Sequence, residues 1–324
     1  MAFLIPHRSP EQNLDAVVIG RAGMDLYPAP HGTKTAQADT FTSDLGGSAG
    51  NIAVALVRHG LRVGLAAPVT SDPVGQFVCN KLRHYGVEHL TPTPVTGVER
   101  TSLALAESRA SDCDVVIYRN QAADFALSPD TFDLAHVDRA PMLIATGTAL
   151  ALEPSRTTTL AALTRSGCGV LDLDYRPYSW ASDDQARAVY QEAIEASEVI
   201  IGNDEEFGRL GGSLAGGRAF AHALAQQREG RLVIYKMGGD GAVTFNGDQA
   251  FTTPIFPVNV LKPFGAGDAF MGGLLAAMCA GHGIESAVSF GSAAAAIVVS
   301  TRGCASAMPT KADVQAFIDT HNRG

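Results

Sequence analysis

The residues best placed to do chemistry lie late in the chain, in Lys262-Pro-Phe-Gly265-Ala266-Gly267-Asp268-Ala-Phe270. Gly265 and Gly267 let the backbone turn tightly and bring successive amide N–H groups close to a ligand. The run rich in Ala, Gly and Leu that follows, to about Gly281, reads as a buried helix, so the glycines stand at its N-terminus. Free N–H groups and the positive end of the helix dipole meet there and form an anion site. Asp268, in the first turn, can cap the helix or accept a proton. A glycine turn, an anion-binding helix end and a carboxylate together suit phosphoryl transfer, which needs positioning, charge stabilisation and one group to take the hydroxyl proton. Read alone, the segment is equally a Gly-rich turn with an N-cap Asp.

Other polar residues recur at the ends of apolar runs. Asp15-Ala-Val-Val-Ile-Gly20 reads as a strand buried on both faces, with Asp25 shortly beyond it. Gly46-Gly47-Ser48-Ala49-Gly50-Asn51 opens a helix, where the glycines would let a ligand approach the backbone and Asn51 could bond a hydroxyl. Further strands run into Asp172-Leu-Asp174-Tyr-Arg176-Pro-Tyr-Ser-Trp180, into Asn203-Asp-Glu-Glu206, and into Lys236-Met-Gly238-Gly-Asp240-Gly241. Each has an ordinary structural alternative: a turn Asp at 25, a plain helix start at 46–51, an internal Asp–Arg ion pair at 172–176. Polar groups collected at the ends of many buried strands are the mark of a doubly wound sheet with its site along one edge.

The elements that must hold these residues follow from the pattern. Val63-Gly-Leu-Ala-Ala-Pro-Val69 is another buried strand, and Asp72 caps a helix to about Tyr85 with Gly86 as its C′ residue. Residues 26–45 read as short exposed strands outside the main sheet. Residues 93–125 alternate with a period of two, suiting an antiparallel pair with one exposed face, and Arg119 ends its second strand. The two segments together predict a small β-sheet lid. From residue 141 the βα alternation returns, with a helix to about Ser166 after Thr146-Gly147-Thr148, and Asn246-Gly247 turns a hairpin. Residues 1–13 read as a loose leader.

Composition limits the function. A chain of 324 residues with 46% hydrophobic residues suits one large α/β domain spanning 1–324. A net charge of −9 argues against nucleic acid, so an anionic substrate needs a local cluster of Arg or Lys. Five scattered cysteines show no metal spacing and suit reduced thiols in a cytoplasmic protein. The longest apolar stretch is too short to span a bilayer. No Walker loop, dinucleotide fingerprint or H-E-x-x-H box occurs, and no metal ligand set is assigned.

The ordered set Gly46-Gly47-x-x-x-Asn51, Asn203-x-x-Glu206 and Gly265-Ala266-Gly267-Asp268 resembles the ribokinase-like (PfkB) sugar kinases, over about residues 15–320. The resemblance implies a three-layer fold with a mostly parallel sheet flanked by helices, plus a small β-sheet lid that serves as a homodimer contact. It implies ATP with Mg2+, and no nucleic-acid or membrane partner. On this resemblance Asp268 is the base and Gly265, Ala266 and Gly267 form the anion hole. Asn203 and Glu206 fall on nucleotide and Mg-water contacts; Lys236, Gly238 and Gly241 fall on the triphosphate and nucleoside site. Asp25, Gly46, Gly47 and Asn51 fall on sugar-hydroxyl contacts.

Gly20-Arg21-Ala-x-x-Asp25-Leu-Tyr27, together with the segments at 174–180 and 262–268, is similar to members that phosphorylate a keto-deoxy sugar acid of inositol breakdown. Members acting on 2-keto-3-deoxygluconate share Tyr118-Arg119 and Arg176-x-x-x-Trp180, and a neutral-sugar kinase would not require both arginines. Arg119 and Arg176 are therefore expected to grip a carboxylate. A sensor that binds without turnover would have no need of Asp268. One departure stands out: where many relatives carry an Asp that helps hold potassium, this chain has Lys262-Pro263-Phe264, so monovalent cations are not expected to activate it.

Overall fold

β1 (Ala16–Ile19) is apolar throughout, and its side chains divide between two cores: Ala16 and Val18 face one, Val17 and Ile19 the other. This is why the strand reads as a continuous apolar run rather than an alternation. The computed structural model describes residues 5–109 and 113–321. Residues 1–4 of the expected leader and 110–112 of the expected lid lie outside the described residues. The leader is not loose where it is described, since Ile5 is buried in the first core.

Among the described residues the remaining strands are β2 (Gly23–Ala29), β3 (Thr40–Gly46), β4 (Val63–Ala66), β5 (Glu88–His89), β6 (Leu103–Ala106), β7 (Val115–Tyr118), β8 (Leu143–Thr146), β9 (Gly169–Asp172), β10 (Val199–Asn203), β11 (Leu232–Lys236), β12 (Ala242–Asn246) and β13 (Gln249–Thr253). The main sheet has the order β13-β12-β11-β10-β9-β8-β1-β4-β5 and is parallel except for the β11-β12-β13 edge. The chain steps from β1 to β4 on one side and later to β8 on the other, so β1 and β8 flank a switch point, where open α/β sheets bind ligands.

The helices are α1 (Ser48–Arg58), α2 (Pro73–Tyr85), α3 (Ser155–Arg165), α4 (Asp183–Glu195), α5 (Asp204–Leu210), α6 (Gly217–Gln226), α7 (Ala266–Cys279), α8 (Ile284–Val299) and α9 (Lys311–His321). Buried residues of α1, α2, α7, α8 and α9 fill the first core, and those of α3 to α6 fill the second, giving the expected three layers. α7 lies against α1 so closely that a Cβ at Gly272 would stand 2.3 Å from the Ala55 Cβ.

The small sheet has the order β3-β2-β6-β7, with β6-β7 antiparallel as expected and β2-β6 parallel. β2 starts at Gly23 and is mostly buried or half-buried, which corrects the reading of an exposed strand at its end of residues 26–45, while the first four residues of β3 are exposed as expected. Asp25 therefore lies within a strand, opposite Asp44, rather than in a turn after β1. The helix expected after β8 starts later: Gly147–Leu150 is a 3₁₀ turn and α3 begins at Ser155.

Candidate active site

Gly265 is the N-cap of α7 with φ +83, a left-handed conformation that a side chain would strain. No side chain caps this helix, so its first amides point outward without an intrahelical acceptor. Asp268 is thus not a cap. Its Oδ2 instead accepts a 2.8 Å hydrogen bond from Asn51 Nδ2 on α1. The tight α1–α7 packing at Gly272 sets that distance. Burial pushes the Asp268 carboxyl up to about 7; the Asp174 charge adds to this, while Asn51, Lys236 and Arg176 oppose it. A carboxylate half ionised near neutrality, beside outward-facing amides, can accept a hydroxyl proton.

Asp268 lines a cavity of about 700 Å³ with Arg21, Asp25, Gly47, Asn51, Arg119, Asp174, Arg176, Asn203, Glu206, Lys236, Gly265 and Gly267. Two atoms on this wall, Asp25 Oδ1 and Asn51 Oδ1, are buried and have no hydrogen-bond partner among the described residues. Unpartnered polar atoms are costly unless something fills them, which suits a polyhydroxyl ligand. The Gly46-Gly47 pair works differently from the sequence expectation. A Cβ at Gly46 would lie 1.8 Å from Asp25 Oδ1, and one at Gly47 would lie 2.3 Å from the Arg21 carbonyl. The glycines seat the protein's own Asp25 and Arg21; Gly46 itself does not line the cavity.

A second cavity of about 460 Å³ adjoins the first and shares Asn203, Lys236, Pro263 and Gly267 with it. Gly238, Gly241 and Ala266 line it, and its far wall is apolar, with Ile255, Phe256, Val260 and Phe270. Lys236 Nζ would be 3.2 Å from a Cβ at Gly267, so its ammonium stands beside the start of α7 at the seam between the cavities. Another cavity, of about 410 Å³ and lined by Asp15, His59, His282 and Lys311, opens at the other end of β1 and holds none of these motif residues.

Asn203 and Glu206 form a reciprocal capping box at the start of α5: Asn203 Oδ1 accepts from the Glu206 amide and Glu206 Oε2 accepts from the Asn203 amide, both at 2.8 Å. Burial raises the Glu206 carboxyl, and Lys236 opposes this. Burial also raises Asp172 well above the usual carboxylate range. Asp174 sits at φ +35, in a sparsely populated region for a residue other than glycine, and pairs with Arg176 Nη2 at 2.5 Å. Burial alone would raise Asp174, but Arg176, a hydrogen bond from the Ser48 hydroxyl and the charges of Arg21 and Arg119 outweigh it and hold the carboxyl below its ordinary value.

Arg119 follows β7 and is already engaged. Its Nε donates to Asp124 Oδ2 at 3.0 Å, its Nη2 donates to Asp124 and to the Thr148 carbonyl, and it lies over the Phe125 ring. Both partners of this ion pair are buried. In this region Asp44 carried no signal in the sequence, whereas Arg21 and Tyr27 stood there only within a motif and Lys262 only as a departure bearing on potassium. Tyr27 Oη donates to Asp25 Oδ2 at 3.2 Å, and Asp44 accepts from the Cys304 and Ser306 amides, tying β3 to the residues after α8. Lys262 has no exposed surface, and its Nζ donates to the Phe264 carbonyl at 2.8 Å, just ahead of the glycine turn that starts α7.

The sequence profile described as pfkB family carbohydrate kinase matches residues 13–311. The chain belongs to this family. A relative from Photobacterium profundum, named 5-dehydro-2-deoxygluconokinase, is 40% identical over 321 residues, covering 97% of each chain. One of the same name from Geobacillus kaustophilus is 34% identical, over 97% of this chain and 96% of that relative. The fold of this pfkB kinase is also that of a fructokinase from Xylella fastidiosa solved with bound ATP, with a TM-score of 0.82, 22% identity, and coverage of 95% and 99%. Among the described residues of this pfkB kinase, no helix is long and apolar enough to cross a membrane.

Proposed function

We propose that this pfkB kinase transfers the terminal phosphoryl group of ATP to the terminal hydroxyl of 5-dehydro-2-deoxy-D-gluconate, giving its 6-phosphate. The substrate reading is supported by the name its 40% identical relative bears. The chemistry is carried by one observation: Asp268, bonded to Asn51, stands beside outward-facing amides where two cavities meet. The larger cavity takes the sugar acid and the smaller, with its apolar wall, takes the nucleotide.

In the proposed step the acceptor oxygen attacks the terminal phosphorus, the bond to the ADP oxygen breaks, and the hydroxyl proton passes to Asp268. Amides at Gly265, Ala266 and Gly267 hold the charge that spreads over the phosphoryl oxygens. Lys236 supplies a positive charge at the seam, while Gly238 and Gly241 leave room for the phosphates and nucleoside. Asp25 on β2, Asn51 on α1 and Gly47 at the start of α1 hold the sugar hydroxyls, with Gly46 seating Asp25. Arg119 and Arg176 line the acceptor cavity and add positive charge to its wall, although each arrives with an acidic partner.

Among the described residues no group of three or more His, Cys, Asp or Glu side chains is arranged to hold a metal ion. The side-chain oxygens of Asn203, at the seam, and of the buried Glu206, in the larger cavity, suit an ion that arrives with the nucleotide and keeps its waters. Mg2+ bound in that way would neutralise phosphate charge. The small sheet forms the lid: Ala104, Ala106, Val115, Val116 and Ile117 line the acceptor cavity, and closure would exclude water. Phe41, Val115, Val116 and Tyr118 are exposed apolar residues on the same sheet, which supports a homodimer through it. Five free thiols suit the cytoplasm.

ADP release measured with 5-dehydro-2-deoxygluconate, 2-keto-3-deoxygluconate and fructose tests the proposal. The highest kcat/KM is expected with the first. A clear preference for either of the others would replace the substrate, and no ADP release with any of them would favour a sensor.

A further inference from the structure

We infer that Arg21 is the residue that binds the acceptor's carboxylate and makes the cavity select an acid over a neutral sugar. The inference rests on the sugar-acid reading of the acceptor cavity. Arg21 directly follows the Gly20 that ends β1, lines the acceptor cavity, and is only 7% exposed. A guanidinium carries five N–H donors. The side chain of Arg21 makes one hydrogen bond, from Nη1 to Ser102 Oγ at 3.1 Å, and no ion pair among the described residues.

The other two arginines of the cavity differ in this respect. Arg119 is neutralised by Asp124, and Arg176 by Asp174. The acids nearest Arg21 do not neutralise it in contact. Asp25 feels its charge, yet the Asp25 carboxyl is wedged against Gly46 and accepts from Tyr27. Asp174 also feels it but is bonded to Arg176. A buried cation with unspent donors is costly to keep unless a ligand meets it. A carboxylate meets it best, through two parallel N–H···O bonds.

The main chain around Arg21 is fixed as a binding residue requires. Its carbonyl accepts from the Gly50 amide at 3.2 Å, and Gly47 approaches it so closely that no side chain would fit. Arg21 and Asp25 therefore line the cavity from one short segment, and the cation takes the acid end of the acceptor. A neutral sugar leaves Arg21 unpaired, and this is the source of discrimination.

The test compares Arg21→Gln and Arg21→Lys with the unaltered enzyme, using 5-dehydro-2-deoxygluconate and its uncharged C1 primary amide at saturating ATP. The unaltered enzyme is expected to prefer the acid by ~100-fold in kcat/KM, the scale of a lost charge-assisted contact. Arg21→Gln should bring that ratio close to unity, mainly by raising KM for the acid, with ADP affinity by calorimetry unchanged. Arg21→Lys keeps the charge without the fork and should lose ~10-fold on the acid alone. An unchanged acid-to-amide ratio in Arg21→Gln overturns the inference, whether activity is kept or lost on both substrates. Should Arg21→Gln fail to bind ADP, the Arg21→Lys ratio decides: equal loss on acid and amide overturns it. If the unaltered enzyme shows no turnover of the acid, the sugar-acid reading itself falls, independently of either variant.

Discussion

Asn51→Ala should move the pH dependence of this kinase in a calculable direction. Asn51 Nδ2 donates to Asp268 Oδ2 at 2.8 Å and favours the ionised carboxylate, which burial otherwise disfavours. A hydrogen bond to a charged group is worth ~1.5–3 kcal/mol, and a pKa unit is about 1.4 kcal/mol, so losing it raises Asp268 by ~1–2 units. The base works only when ionised. With the group at about 7, roughly half is active at pH 7 in the unaltered enzyme. In the variant the midpoint moves to about 8–9, and the active fraction at pH 7 falls by ~5–50-fold. The assay is kcat/KM for the acceptor from pH 5.5 to pH 10 at saturating ATP, read as ADP formation. Loss of the sugar contact made by Asn51 lowers the alkaline plateau but does not move the acid limb. An acid limb that stays near pH 7, with loss uniform across pH, would refute the reasoning.

Asp174→Asn should do the reverse: it removes a negative charge that raises Asp268, keeps a residue tolerant of φ +35, and should draw the acid limb down by ~1 unit. An upward shift in the same profile would contradict this electrostatic account. Potassium should not activate the enzyme, because Lys262 already places a fully buried side chain, bonded to the Phe264 carbonyl, beside the anion loop. A several-fold rise in kcat on adding potassium at matched ionic strength would disprove it. Gly272→Ala forces a methyl against Ala55 and should lower the unfolding free energy by ~1–3 kcal/mol in urea titration. Unchanged stability there would show that α1 and α7 are not held as tightly as described.

The glycine turn that starts α7 was legible because its signals are local: two glycines, an apolar helix behind them and a carboxylate in the first turn. The buried strands were legible for a similar reason, since β1 and β10 serve both cores and so carry no polar alternation. Partnership was much less so. Arg119 ends a strand in a way that suggests a free ligand, yet a turn brings Asp124 back onto it. Arg176 and Asp174, by contrast, form the internal pair that their spacing allowed. Residues 26–45 read as short exposed strands, yet the inner positions of β2 are buried. Gly46 seemed to make room for a ligand, but the atom it makes room for belongs to Asp25, a contact across two strands that no spacing announces. Arg21 stood in a motif without an assigned role, because one cation after a strand-ending glycine looks like any turn residue; the importance proposed for it lies in the partner it lacks.

The role of Asp268 is tested most directly by the turnover number of Asp268→Asn, with ATP and sugar-acid binding measured on the same preparation. Removing a general base should lower kcat by at least ~100-fold while both ligands still bind. Turnover close to that of the unaltered enzyme would mean that the proton goes elsewhere and that the arrangement of Asp268, Asn51 and the anion loop does not perform the transfer.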